Sequence, residues 1–179
     1  MLVRDAQLAD GRVRDVRVRD GRIATVGRNL QENDDVLVDA DGNLLLPGCI
    51  DGHVHFRQAG HAHKETWTTG SRSAAAGGVT TVVDQPNTDP PTTTGAAFDE
   101  KAALARESLV DYGINGGVTP DWDPDSLFER DLLALGEVFL ADSTGDMGID
   151  ADLFADAVER AAAEDVVVTV HAEDADRFD

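Results

Sequence analysis

Hydrophobic and charged residues are interleaved in short runs over residues 1–46, with tight-turn residues between the runs. Asp10-Gly11 and Asp20-Gly21 are typical hairpin turns, and valines with one isoleucine lie between charged residues around them. Val36, Leu37 and Val38 form another short apolar run. The pattern predicts short strands joined by turns. We interpret residues 1–46 as the N-terminal part of a small β-sandwich domain.

From residue 47 the pattern alternates between strand and helix periodicity. Val79 to Asp84 is a β-branched run, whereas Phe98, Ala102, Ala105 and Leu109 form one stripe of a helix. The expected strands cover 44–55, 79–84, 112–118, 137–141 and 166–170, and the expected helices cover 67–77, 95–109, 124–135 and a segment beginning near Asp150.

Strand-helix alternation is typical of a parallel sheet with helices outside it. A closed barrel of eight such units needs roughly 250 residues. About five units in 47–179 therefore predict either an open α/β sheet or the first part of a longer barrel. We favour an α/β fold with an incomplete TIM (β/α)8 barrel over 47–179, because an uncovered fifth strand edge would be a liability.

The charge balance excludes some classes of partner. Asp and Glu number 35 against 15 Lys and Arg, which gives a formal net charge of −20. Nucleic acid and anionic membrane surfaces would be repelled, so neither is expected as a partner. No apolar stretch has the length of a membrane span, and the start does not resemble a signal peptide. The single cysteine, Cys49, is expected to be a small buried strand residue, and the protein is expected to be cytoplasmic.

The segment Pro47 to Arg57 carries the first candidate chemistry. In a strand alternate side chains share a face, so His53, His55 and Arg57 would project together. Two imidazoles can ligate one divalent metal, and an arginine beside them can bind a carboxylate. A strand with two buried, hydrogen-bonded histidines is the alternative interpretation.

Other polar residues fall at the C-terminal ends of later predicted strands. Asn87 follows the second strand of the barrel segment, Glu137 lies at the fourth and His171 follows the fifth. Barrel enzymes place their sites at this face. Three imidazoles and a carboxylate suit zinc, with a position left for a water whose pKa the metal lowers. Arg57 and the amide of Asn87 could then hold a substrate carboxylate.

These motifs resemble a known family. The H-x-H-x-R block at 53–57, the AAAGGVTTVVD block at 74–84 and Pro86-Asn87-Thr88 strongly resemble the amidohydrolase superfamily, and within it the dihydroorotases. The resemblance implies a TIM barrel with a small β domain built from both chain ends. It also implies metal-dependent, reversible hydrolysis of dihydroorotate to N-carbamoyl-aspartate in pyrimidine biosynthesis, with one or two Zn²⁺ ions.

The resemblance implies a role for each matching residue. His53 and His55 match ligands of a first metal, and His171 matches a ligand of a second. Arg57 and Asn87 match the pair that binds the dihydroorotate carboxylate. The catalytic residue is unknown within the chain, because the family aspartate that shuttles the proton is expected beyond residue 179.

Glu137 departs from the family pattern. The family commonly has a carboxylated lysine there that bridges two metals, and neither Lys64 nor Lys101 falls at that place. Glu137 could bridge two metals, bind one metal only, or be an acid that binds none. Two functional alternatives also stay open: an allantoinase- or hydantoinase-type cyclic amidase, and a catalytically silent scaffold partner of aspartate carbamoyltransferase. The resemblance leaves the existence of a homo-oligomer open.

The acid-rich composition, with only two lysines, predicts a halophilic protein, because salt screens the self-repulsion of a highly charged surface. We expect the midpoint of thermal unfolding to rise when KCl is increased from about 0.1 M to about 2 M. Sucrose stabilises proteins without screening charge, so its effect on the midpoint gives the non-electrostatic rise that the rise with KCl should exceed. A midpoint that does not rise with KCl contradicts the hypothesis.

Overall fold

The computed structural model describes residues 1–141 and 146–173 of a mixed α/β chain. Residues 142–145 and 174–179 of the predicted barrel segment lie outside the described residues. The chain divides into two compact units, Met1–Pro47 and Gly48–Asp179. Among the helices described, none has the length and apolar character needed to cross a membrane.

The first unit is a four-stranded sheet. Its strands are β1 (Leu2–Gln7), β2 (Val13–Arg19), β3 (Arg22–Gly27) and β4 (Leu37–Asp39), in the order β3-β2-β1-β4. Strands β1, β2 and β3 pair antiparallel, while β4 pairs parallel to β1. Asp20 and Gly21 both have positive φ, 49° and 71°, as a two-residue hairpin turn requires. Both predicted hairpins are confirmed.

The second unit alternates strands and helices. It contains β5 (Cys49–Val54), α1 (Trp67–Ala76), β6 (Val79–Asp84), α2 (Gly95–Ala105), β7 (Asp111–Ile114), α3 (Pro124–Phe128), β8 (Leu135–Phe139), α4 (Ala151–Ala163) and β9 (Val168–His171). Parallel pairing gives a β5-β6-β7 sheet and a β8-β9 sheet. A parallel bridge between Gly116 and Leu135 joins the two. The five strands therefore follow one another in chain order.

Several predicted elements have other limits in the structure. The expected helix 95–109 ends at Ala105, the expected strand 112–118 covers Asp111–Ile114, and the expected strand 137–141 covers Leu135–Phe139. The expected strand 44–55 is divided at Pro47-Gly48: Leu44 bridges to Gln7 in the first unit, and β5 begins at Cys49. The expected helix 124–135 ends at Phe128. Its continuation is prevented because the Leu133 amide donates to the Ile114 carbonyl and so joins the sheet.

Helices and sheet share one apolar core. Trp67 of α1, Phe98 of α2, Leu127 of α3 and Ala157 of α4 are buried against strand residues such as Val82. Helix α4 begins as predicted, with the Asp150 carboxylate accepting from the Leu153 amide at 2.8 Å. The core thus fixes the strands whose ends carry the candidate site residues.

The segment after His55 is held by aromatic packing. The ring of Phe56 meets Trp67 edge to face, with centroids 5.1 Å apart. The same ring lies directly over Gly70, where an added Cβ would collide with it. Gly70 therefore allows helix α1 to approach the segment that follows the two histidines.

Replacing Gly70 should test this close approach. We expect Gly70→Ala to lower the free energy of unfolding of the full-length protein by about 1–3 kcal/mol, because Phe56 cannot move without displacing Trp67. Urea titration measures the change.

Gly77→Ala is the matched control at the end of the same helix. Its Cβ would meet Ala74 O at an ordinary 3.5 Å, so little or no loss of stability is expected. An equal loss in both variants contradicts the role given to Gly70.

Candidate metal centre

Three predicted residues bring one donor atom each to a single point. His53 Nε2 lies 3.2 Å from His55 Nε2, and Glu137 Oε1 lies 3.4 Å from the first and 3.5 Å from the second. Tetrahedral ligands with metal bonds of about 2.05 Å are separated by about 3.3 Å. The three atoms therefore have the spacing of one face of a tetrahedral site. The donor set fits a divalent ion such as zinc.

Burial of Glu137 strengthens that fit. Its side chain is 8% exposed, whereas those of His53 and His55 are more open to solvent. A buried carboxylate is costly unless it is paired or binds a metal. The groups facing its Oε1 are imidazole nitrogens, which are metal ligands when neutral.

His171 meets the other oxygen of Glu137. Its Nδ1 lies 2.9 Å from Glu137 Oε2, and its Nε2 lies 2.9 Å from Glu173 Oε1. The hydrogen bond to Glu137, followed by that to Glu173, raises the pKa of His171. The ring of Phe139 stacks on the imidazole. Glu137 thus has His53 and His55 on one side and His171 on the other.

Asn87 determines the tautomer of His55. The Nδ1 of His55 lies 2.7 Å from Asn87 Oδ1, an acceptor, so Nδ1 carries the proton and donates it. The lone pair of Nε2 then points to the three-donor cluster, as a metal ligand requires. Burial, assisted by the charge of Arg57, holds the pKa of His55 below its ordinary value.

Arg57 does not continue the strand. Strand β5 ends at Val54, and Arg57 has a left-handed backbone with φ of 63°. The expectation of three side chains alternating on one strand face is therefore wrong at Arg57. Its Nη1 nevertheless donates to the Asn87 carbonyl at 3.3 Å, which keeps the two predicted carboxylate-binding residues adjacent.

Comparison with known proteins agrees with the motifs. The model of the dihydro-orotase-like family matches residues 42–178. The chain belongs to this family. It is 70% identical over 180 residues to the dihydroorotase of Halobacterium salinarum, covering 99% of this chain and 42% of that protein. With the dihydroorotase of Methanosarcina acetivorans it shares 46% identity over 156 residues, which is 86% of this chain and 33% of the relative.

A solved structure has the same fold as this dihydro-orotase-like chain. The L-hydantoinase from Arthrobacter aurescens matches with a TM-score of 0.81 and 29% identity, over 97% of this chain and 40% of the hydantoinase. The chain spans about two fifths of the length of the Halobacterium dihydroorotase and of this hydantoinase.

Sequence analysis missed a polar group beneath the centre of this dihydro-orotase-like chain. Asp84, Gln85, Lys101 and Asn115 are all buried. One signal was available: Lys101 is three residues from Phe98, on the apolar side of α2, where a lysine needs a buried partner. That partner is Asp84, whose Oδ2 lies 2.8 Å from Lys101 Nζ.

The tautomer of His55 can be tested through Asn87. We expect Asn87→Leu to weaken zinc binding by about 10- to 100-fold, because His55 loses the acceptor that holds its ring. Asn87→Asp keeps an acceptor oxygen and should stay within a few-fold of the parent protein. Competition with a chromophoric chelator measures both affinities in the full-length protein. Equal affinities for the two variants contradict the role of the hydrogen bond.

Proposed function

We propose that the full-length protein is a dihydroorotase, a hydrolase that reversibly opens the cyclic amide of dihydroorotate to N-carbamoyl-aspartate. One observation carries the proposal: donor atoms of His53, His55 and Glu137 lie within 4.8 Å of one another in a dihydro-orotase-like chain. Asn87 lies next to this cluster through its hydrogen bond with His55, and Arg57 lies beside Asn87 through its hydrogen bond to the Asn87 carbonyl.

The proposed cofactor is Zn²⁺, as one or two ions. His53, His55 and Glu137 Oε1 would hold the first ion, and His171 with Glu137 Oε2 would contribute to a second. The opposite orientation of the two Glu137 oxygens supports a bridging carboxylate in place of a carboxylated lysine. When bound, zinc supplies a Lewis acid for the amide carbonyl and lowers the pKa of a water.

The proposed work of the chain itself is to bind and orient the substrate. Arg57 would pair with the exocyclic carboxylate of dihydroorotate, and Asn87 would assist it while keeping Nδ1–H of His55 engaged. A carboxylate held at this point would restrict the orientation of the substrate ring beside the histidines. The proton-shuttling aspartate is proposed to lie beyond residue 179.

We infer the domain organisation from the same family likeness. Residues 1–46 would be part of a small β-sandwich domain, and 47–179 the first five strands of a (β/α)8 barrel. Five parallel strands in chain order with helices between them support this assignment.

The alternatives receive less support. A silent scaffold partner of aspartate carbamoyltransferase would not need three donor atoms at metal-ligand spacing. A hydantoinase- or allantoinase-type enzyme would not need the dihydroorotase arrangement of Arg57 beside Asn87. Homo-oligomer formation and binding of the carbamoyltransferase stay predictions.

Turnover by the full-length protein in high KCl with added zinc tests the proposal. We expect hydrolysis of dihydroorotate to exceed that of hydantoin and allantoin when all three are assayed side by side. Arg57→Met should lower kcat/KM for dihydroorotate by about 10- to 100-fold, because a charge-assisted hydrogen bond contributes about 1.5–3 kcal/mol.

Arg72→Met is the matched control, since Arg72 is an exposed arginine of α1, and its activity should be unchanged. Absence of turnover from a folded, zinc-loaded protein rules out the dihydroorotase proposal. Loss of activity in both arginine variants would remove the support for substrate binding by Arg57.

A further inference from the structure

The side-chain amide of Gln85 lies in a buried position just after strand β6, and the residue is 1% exposed. Its Oε1 accepts from the Glu137 backbone amide at 2.8 Å and from Asn115 Nδ2 at 3.3 Å. One carbonyl oxygen therefore contacts both β8 and the end of β7.

The nitrogen of the same amide contacts strand β5. Gln85 Nε2 donates to the Gly52 carbonyl at 3.4 Å, directly before His53, and to the Val83 carbonyl at 3.4 Å. The Gln85 backbone amide donates to the Val54 carbonyl, between the two histidines, at 3.0 Å. Because both ends of the side-chain amide are engaged, its orientation is fixed.

The backbone carbonyl of Gln85 is also held by a hydrogen bond from a buried lysine. Lys101 Nζ donates to the Gln85 carbonyl at 2.6 Å while pairing with Asp84. Asp84 Oδ1 accepts from the Phe56 amide at 2.8 Å, directly after His55. This buried polar cluster, Asp84, Gln85, Lys101 and Asn115, thus contacts the chain on both sides of the histidine pair.

No direct strand pairing joins the two halves of the candidate centre among the described residues. His53 and Glu137 come from β5 and β8, and these strands are separated in the sheet by β6 and β7. Small changes in twist at each pairing would add up over that distance. Gln85 spans it with one side chain, from the Gly52 carbonyl to the Glu137 amide.

We propose that Gln85 is a positioning residue that sets the distance between Glu137 and the histidine pair, and so the spacing of the three donor atoms. The inference rests on the metal site of the proposed function. Gln85 does not contact the metal or substrate in this role. It acts through the backbone of Glu137 and of Gly52.

The decisive variant is Gln85→Met, which keeps the volume and removes both hydrogen-bonding groups. In the full-length protein, we expect zinc affinity, measured by chelator competition, to fall about 10- to 100-fold, as for other groups that orient metal ligands. The visible absorption spectrum of the Co²⁺-loaded variant should also differ from that of the parent protein, because the ligand geometry has changed.

Ser71→Ala is the matched control for a purely structural loss. Ser71 is fully buried and its Oγ accepts from the Leu109 amide at 3.0 Å, away from the candidate centre. We expect this variant to unfold at a lower temperature with zinc affinity and the Co²⁺ spectrum unchanged.

If Gln85→Met does not fold, Gln85→Glu takes its place. It retains an acceptor for the Glu137 amide and places an oxygen, in place of the donor, against the Gly52 carbonyl, so zinc binding should weaken measurably. Zinc affinity equal to the parent protein in a folded Gln85 variant overturns the inference and leaves the metal site standing. A parent protein that binds no zinc removes the proposed metal site, and the positioning role with it.

Discussion

The alignment of the strand ends in the second unit depends on the buried carboxylate of Glu137. Glu137 loses most of its hydration, and that cost must be recovered by polar partners. Its Oε1 faces two imidazoles, its Oε2 faces a third, and its own backbone amide is engaged by Gln85. The ends of three parallel strands must therefore stay in register with one another. The same geometry that recovers the cost creates a place for a cation.

A buried ion pair beneath the candidate metal centre has a different role from that of Glu137. Lys101 and Asp84 form an ion pair that is almost wholly removed from solvent, with exposures of 2% and 0%. Burial lowers the pKa of Lys101, and the charge of Asp84 opposes that shift. Such a pair adds little net stability compared with apolar packing, but it imposes a direction on each hydrogen bond that it makes. Here those bonds end on backbone groups beside the candidate ligands.

Local pattern predicted local structure well. Strand β6 has the predicted limits Val79–Asp84, and Asp150 caps α4, because both features depend on neighbouring residues alone. Cys49 was expected to be buried and is exposed, since within the described residues β5 pairs with β6 alone. The limit of α3 likewise depends on pairing between distant segments. The periodicity of hydrophobic residues along the chain does not indicate which distant segments pair.

The candidate site likewise has one part that the sequence predicted and one part that it did not. Motif spacing and the positions of strand ends were enough to predict that His53, His55 and Glu137 come together, since the C-terminal ends of the parallel strands of a barrel lie at one face. Gln85 carries no recognisable spacing, because its side-chain partners Gly52, Asn115 and Glu137 lie on three separate segments and become apparent only in three dimensions.

The burial of Lys101 limits the substitutions that the chain tolerates at this position and at Asp84. Lysine is scarce in the sequence, with only Lys64 and Lys101 present. Lys101 is buried, so its role is to pair with Asp84 and not to carry surface charge. Replacing Lys101 alone would leave the Asp84 carboxylate buried and unpaired, which would lower the free energy of unfolding by about 3–5 kcal/mol. Asp84 and Lys101 are therefore expected to be replaced together, because either single substitution gives a poorly folded protein.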